Sequence, residues 1–231
     1  MLNKNTREIL GQLGQINPSQ IVTYPVTTII LGKAIQAFLD LSQLGEDEFD
    51  EFGVYDISQL NSVVSVIDEP EITNDNGTLT IKNKTQSIKY GTTNLSIIES
   101  ECRGKPDLID RITGNNELVM SFELDAKELD RLKKMAGLLK ELSDLIITGK
   151  TDGNVDISVT SKEKSSNNYV VNVQGEVQEE VSMSLVMDIV KKLPNSGFKV
   201  SVYKSAKGSL VAVFGSTGVD GLNIVLAAKA G

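Results

Sequence analysis

One succession of elements occurs twice along this chain, and that repeat limits what it can fold into more than any single motif does. From Lys4 an amphipathic stretch carrying Thr6, Arg7, Ile9, Leu10 and Leu13 runs into the strand-like segment Ile21-Val22-Thr23-Tyr24. From Asp125 a second amphipathic stretch, with Leu129, Leu132, Ala136 and Leu139, runs into Leu145-Ile146-Ile147-Thr148. A short apolar helix is expected in each half, on Leu60, Val63, Val64 and Ile67 and then on Val186, Ile189, Val190 and Leu193. Three short alternating strands follow each of them. Residue identity between the halves is poor, so the pattern repeats while the sequence does not. The spacing grows slightly along the chain, as loop insertions in a duplicated domain would cause.

The 231 residues suffice for one large domain or for two of about 110–120 residues, either of which can bury a core. The pattern predicts two. The first half is expected to hold a helix over 4–14, strands near 20–24, 27–32 and 51–56, and a further segment through 34–41. A helix over 58–66 follows, with Asp56 and Ser58 as capping candidates and Pro70 as its stop. Strands over 71–74 and 78–83 should meet across Asn74-Asp75-Asn76-Gly77, whose Asn-Gly pair is a hairpin signal, and a strand over 86–92 closes the half.

Residues 94–116 have weak periodicity, mixed charge and a Gly-Lys-Pro break at 104–106, and read as a connector. The second half opens on a strand over 117–124. A helix over 125–142 follows, with Asp125 and Glu128 at capping-box spacing. Strands near 144–149, 154–161 and 168–177 come next, then a helix over 185–193 ended by Pro194. Strands near 197–203, 209–214 and 222–228 finish the chain. The expected class is α+β, in two similar domains of antiparallel sheet with two helices packed on one face of each. Their expected bounds are 1–94 and 117–231, joined by the connector 95–116.

Composition removes most chemistry. The sequence contains no histidine, no tryptophan and one cysteine, Cys102. Without histidine there is no common general base near neutral pH and no usual hydrolase triad. One thiol without an imidazole cannot make a structural zinc site, and it cannot close an internal disulfide. The reading is of a non-enzyme with no cofactor and no metal. Apolar runs are too short for a membrane span, the N-terminus lacks the apolar core of a signal peptide, and a single thiol suits a reducing compartment.

Two further stretches invite a site and do not carry one. Gly215-Ser216-Thr217-Gly218-Val219-Asp220-Gly221 resembles a phosphate-cradling loop but lacks its lysine and leads into a strand. Glu46-Asp47-Glu48 with Asp50 and Glu51 matches no calcium-loop spacing and reads as surface charge.

The net charge of −8, from 31 acidic and 23 basic residues, argues against a nucleic-acid partner on average. A polyanion responds to the local field, so placement decides. On a helical wheel with Lys127 at zero, Arg131 falls at about 40° and Lys134 at about −20°, while Leu129, Leu132, Ala136 and Leu139 fall between about 120° and 200°. Lys4 and Arg7 stand opposite Ile9, Leu10 and Leu13 in the same way. Lys191 and Lys192 lie away from Val186, Ile189, Val190 and Leu193. The helix over 58–66 turns only Asn61, Ser62 and Ser65 outward. Three of the four predicted helices therefore carry outward cations in an acidic chain.

Asp50-Glu51-Phe52-Gly53-Val54-Tyr55-Asp56-Ile57, then Leu60 to Ile67, then Glu71-Ile72 and Asn76-Gly77-Thr78-Leu79-Thr80-Ile81, resembles the first domain of the DNA polymerase sliding clamps of tailed bacteriophages. The Tyr55-Asp56 pair entering a short apolar helix is its most specific part. The second half is similar mainly in the order and spacing of elements, including Leu193-Pro194, Lys199-Val200-Ser201-Val202 and Leu210-Val211-Ala212-Val213. The likeness spans nearly the whole chain, with specificity concentrated over about 49–93.

That resemblance implies a homotrimeric ring like those of PCNA-type clamps, in the cytoplasm of the infected bacterial host. Its helices would line a hole for duplex DNA, contacted without sequence preference. Lys4, Arg7, Lys127, Arg131, Lys134, Lys191 and Lys192 would form the positive wall. It implies as partners a DNA polymerase, docked by a peptide beside the connector with Leu108, Ile109 and Ile112 as candidates, and an ATP-dependent clamp loader. Edge strands 86–92 and 169–175 would join neighbouring copies. The competing reading is a structural ring or tube component of a virion, which needs no basic helix face.

Overall fold

In the computed structural model, residues 2–75, 77–139, 142–161 and 167–229 are described. They divide into two compact units. The first is the chain as far as Pro106 without Lys33–Ile35 and with Asp220–Leu222 added; the second is the remainder, which takes in Lys33–Ile35.

The first unit begins with α1, Lys4–Leu13, where Asn3 caps the helix by accepting the Thr6 N–H at 2.9 Å. Thr6, Ile9, Leu10 and Leu13 recur at helical spacing and form its buried face. Four strands follow: β1 (Gln20–Val22), β2 (Val26–Leu31), β3 (Ile35–Asp40) and β4 (Phe52–Val54). Helix α2, Ile57–Val64, is capped by Asp56, whose carboxylate accepts the Ser58 and Gln59 N–H groups at 2.8 and 3.2 Å. Strands β5 (Glu71–Asp75), β6 (Thr78–Lys82) and β7 (Ser87–Gly91) then form an antiparallel meander. Asp75 pairs with Thr78 across the predicted turn. Asn76 of that turn, and residues 140–141 of the helix predicted over 125–142, lie outside the described residues.

Helix α1 meets α2 through two glycines. A Cβ on Gly11 would stand 2.7 Å from Asn61 Nδ2, and one on Gly14 would stand 2.8 Å from Ile57 Cγ2. Asn61, expected to point outward, instead donates to the Arg7 carbonyl at 2.9 Å. That bond accounts for the close approach at Gly11.

The connector stretch is not irregular. It carries α3, Leu95–Cys102, and α4, Leu108–Asn115, of eight residues each. Ile98 and Cys102 are buried with Ile21 and the partly buried Leu95. Leu95, Ile98 and Cys102 lie at i, i+3 and i+7, a helical stripe shorter than a periodicity window resolves.

The second unit opens with β8 (Glu117–Leu124) and α5 (Ala126–Leu138), the latter capped by Asp125 accepting the Glu128 N–H at 2.8 Å. Strands β9 (Asp144–Gly149), β10 (Asn154–Thr160), β11 (Tyr169–Val177) and β12 (Val181–Val186) follow, then the single turn α6 (Met187–Val190). Strands β13 (Phe198–Lys204), β14 (Leu210–Ser216) and β15 (Leu222–Ala227) end the unit, which runs β12-β9-β10-β11-β8-β13-β14-β15 in one antiparallel sheet.

The helix predicted over 185–193 is observed as the single turn α6 with a further turn after it, and its first two positions belong instead to β12, a strand not anticipated from the sequence. Val181, Met183 and Leu185 alternate with Ser182 and Ser184, and the segment pairs with β9 from Val181↔Gly149 to Val186↔Asp144. Val186, expected on a buried helix face, is a partly exposed strand residue.

The duplication extends to the pairing. After its first helix each unit runs through four strands, a short helix and a three-stranded meander. In the first unit β1 pairs with β4, and in the second β9 pairs with β12, both antiparallel. The two units differ in that only the second has a strand, β8, before its long helix among the described residues.

The second core is keyed by Phe198 and Phe214, fully buried and packed edge-to-face at 5.8 Å between ring centroids. Phe214→Ala is expected to destabilise the protein by about 3–5 kcal/mol, read as a lower denaturation midpoint by circular dichroism. A loss below about 1 kcal/mol would mean the pair does not anchor this core.

Candidate nucleic-acid interface

The cations singled out by the wheel sit on three segments. In the first unit, Lys4 is exposed at the start of α1 and Arg7 is half-buried one turn later. In the second, Lys127, Arg131 and Lys134 are exposed on α5, while Leu129, Leu132 and Ala136 are buried on its other face. Lys191 is exposed and Lys192 half-buried in the turn that leaves α6, held by backbone bonds to Met187 and Ile189 at 2.9 and 3.0 Å. The structure thus groups Lys127, Arg131 and Lys134 on one helix face.

Their charge is less bare than the wheel implies. Lys4 lies 3.9 Å from Glu8, Lys134 lies 2.6 Å from Asp130, and Lys191 lies 3.4 Å from Asp188. Arg131 is paired with Glu128. Each partner is three or four residues away on the same helical stretch, the spacing that brings side chains together. Lys127 has no carboxylate within ion-pair distance among the described residues. Exposed pairs of this kind are worth only about 0.3–0.5 kcal/mol, so an incoming phosphate can displace the carboxylate.

Arg7 is a different kind of residue. Burial pulls its guanidinium below the ordinary arginine value, against the raising influence of Glu8 and Glu46. Its Nε is buried without a hydrogen-bond partner. Glu46 is itself buried and accepts the Asn3 N–H at 2.7 Å, so Arg7 sits over a packed junction between α1 and the 41–46 segment.

Lys133 escaped the sequence reading. Its Nζ donates to the Leu193 carbonyl at 2.5 Å and to Asn195 Oδ1 at 3.1 Å, tying α5 to the chain after α6. Burial lowers its ammonium below the usual lysine value while Asp130 opposes that shift. On the wheel it falls at about 240°, at the flank between the apolar and basic faces. A cation in that position is the available signal for a bridging role.

On α4, Ile112 is buried, whereas Leu108 and Ile109 are half-buried and remain reachable. Two open cavities lie elsewhere. One of about 760 Å³ is lined in part by Asp68, Glu71, Lys82 and Lys84, and one of about 420 Å³ in part by Phe122, Gln174, Glu176 and Lys199. Among the described residues no group of three or more histidine, cysteine or acidic side chains could hold a metal ion. Within the acidic run, Glu51 is bonded by Arg103 at 3.0 Å and by Thr23 at 3.2 Å. No described helix is long and apolar enough to cross a membrane.

Two strand edges complete the geometry. Thr92 N–H donates to the Gly77 carbonyl and Asn83 N–H to that of Gln86, each at 2.9 Å. Antiparallel alternation then turns Ile88 and Tyr90 toward β6, and Ser87, Lys89 and Gly91 toward the other edge of β7. The Gly175 N–H donates to the Gly153 carbonyl at 2.9 Å, which turns Tyr169, Val171 and Val173 toward β10. Val170, Asn172 and Gln174 face outward, because β8 takes up β11 only from Gly175 to Val177. Neither Ser87, Lys89 and Gly91 nor Val170 and Asn172 have a strand partner on that side among the described residues, whereas Gln174 stands where the β8 ladder begins.

No protein-family model matches this sequence, and no curated protein does. Solved structures do. A Proliferating Cellular Nuclear Antigen from Entamoeba histolytica superposes with a TM-score of 0.66 at 12% identity, covering 97% of this chain and 94% of that one. The A. fulgidus PCNA bound to the C-terminal region of FEN-1 gives 0.65 at 15% identity, over 97% and 95% of the two chains. The DNA polymerase sliding clamp from Bacillus subtilis gives 0.61 at 15% identity, and this chain spans 63% of that protein's length. The chain has the DNA-clamp fold.

Proposed function

We propose that this chain is the subunit of a DNA sliding clamp, a closed ring of three copies that encircles duplex DNA and tethers a DNA polymerase to its template. The observation that carries the reading is the clamp fold over 97% of the chain. The exposed cations of α5 agree with it. In such a ring Lys127, Arg131 and Lys134, with Lys4, Lys191 and Lys192, meet phosphates without reading bases, so the ring is held on the duplex and still slides. Arg7 supports the wall from beneath. Three copies are favoured over two because the chain matches PCNA in length and falls short of the bacterial clamp.

A closed ring cannot leave an unbroken duplex sideways, so a bound polymerase stays at high effective concentration on its template with no chemistry by the clamp. Opening such a ring requires work, which is the part assigned to an ATP-dependent loader. The likeness to a PCNA that binds a FEN-1 terminal segment supports a similar peptide site here. Half-buried Leu108 and Ile109 on α4 are its candidate contacts, with buried Ile112 behind them. The resemblance over 49–93 to tailed-phage clamps supports a role in bacteriophage DNA replication, in the cytoplasm of the infected host.

Ring closure is assigned to the open edges: Ser87, Lys89 and Gly91 of one copy pair with the outward side of β11, Val170 and Asn172 foremost, of the next. Lys89→Pro removes an edge donor while leaving the bonds of β7 to β6 in place. The wild-type chain is expected at three times 25.0 kDa by sedimentation, and the variant as a folded monomer. A variant that keeps the trimer places the joint elsewhere. The triple variant Lys127→Ala, Arg131→Ala, Lys134→Ala should keep its fold and lose about 1 in the salt slope of DNA retention per phosphate contact removed. An unchanged slope would remove those residues from the interface.

A further inference from the structure

The repeat leaves one strand position open in the first unit. In the second unit β13, which follows the short helix, pairs with β14 on one side and with β8 on the other, from Phe198↔Leu124 to Lys204↔Glu117. Its counterpart β5 pairs with β6 alone, and no strand lies on its other side among the described residues.

Alternation identifies the groups left over. Odd-numbered residues of β6 bond to β7, so Thr78, Thr80 and Lys82 bond to β5. Their partners Asp75, Thr73 and Glu71 are thereby turned inward, and Ile72 and Asn74 direct their N–H and C=O to the open side. Neither has a backbone partner there among the described residues. The Asn74 side chain adds a second, independent sign. Its amide donates to the Asp50 carbonyl at 3.2 Å, while its Oδ1 is buried with no partner. An orphaned buried acceptor costs about 1–3 kcal/mol until a donor arrives.

The surroundings specify the donor's charge. The bond to Asp50 brings the acidic segment of Asp47, Glu48 and Asp50 alongside β5, and all three side chains are exposed. Asp68, Glu69 and Glu71, also exposed, lead into the strand. Lys82 stands 3.9 Å from Glu71, and Lys84 lines the same cavity as Asp68, Glu69 and Glu71, so the carboxylates around the strand outnumber these two cations.

We infer that the open edge of β5 docks an extended, lysine- or arginine-rich segment of a partner protein, added antiparallel as β8 is added to β13. Backbone bonds to Ile72 and Asn74 supply register, and the flanking carboxylates select basic side chains. This site is separate from the β7 and β11 edges and from the cation-bearing helices. It goes beyond the clamp reading and holds or fails independently of DNA retention.

The test is residue-resolved amide exchange on the full chain, with a peptide of alternating lysine and valine as probe and one of alternating glutamate and valine as control. The lysine peptide is expected to slow exchange at Ile72 and Asn74 about tenfold while Thr73, already bonded, stays unchanged. The effect should vanish with the glutamate peptide. It should also vanish in the variant Asp47→Asn, Glu48→Gln, Asp50→Asn, which alters charge and not shape. No slowing, equal slowing by both peptides, or slowing on raising the protein concentration alone would overturn the proposal. The last result would assign the edge to a second copy of the chain.

Discussion

One pairing in each unit sets the position of everything this protein presents. The strand after the long helix, β1 or β9, bonds to the strand before the short helix, β4 or β12. Joining those strands obliges the two helices to emerge beside one another. The sequence then fits the contact locally: Gly11 and Gly14 let α1 approach α2, and Lys133 clasps the chain after α6. The exposed cations of α5 are positioned by that contact. Their common direction follows from the ladder and from helical periodicity, with no dedicated site-building motif.

Strong periodicity was legible; pairing-dependent structure was not. α1 and α5 announce themselves through apolar stripes, and α5 also through Asp125 at its cap. The Asn-Gly pair correctly joined β5 to β6 as a hairpin. The period of Val186, Ile189, Val190 and Leu193 marks α6, whose helix starts two residues later than expected, and β12 before it has no counterpart in the sequence reading. The partner of β12 is β9, more than thirty residues earlier, and its pairing draws Leu185 and Val186 out of the predicted helix. α3 and α4 were missed because eight residues give one stripe too brief to separate from a loop. Among the cations, the wheel found direction but not company. Glu8, Glu128, Asp130 and Asp188 pair with the residues it marked, and Arg7 is half-buried.

That company has a physical use in the proposed ring. A chain of net charge −8 that exposed unpaired cations would attract any polyanion. Weak i,i+3 and i,i+4 pairs keep each cation ordered near the helix, and their carboxylates yield to a phosphate at little cost. Grip on the duplex then comes from enclosure, and sliding survives because no single contact is strong.

Enclosure is the central claim, and topology tests it directly. The protein is loaded onto nicked circular DNA and onto the same DNA linearised, then passed over a sizing column in moderate salt. The account predicts that it stays with the circle and runs off the free ends. Equal retention on both forms, or loss from both, would contradict it.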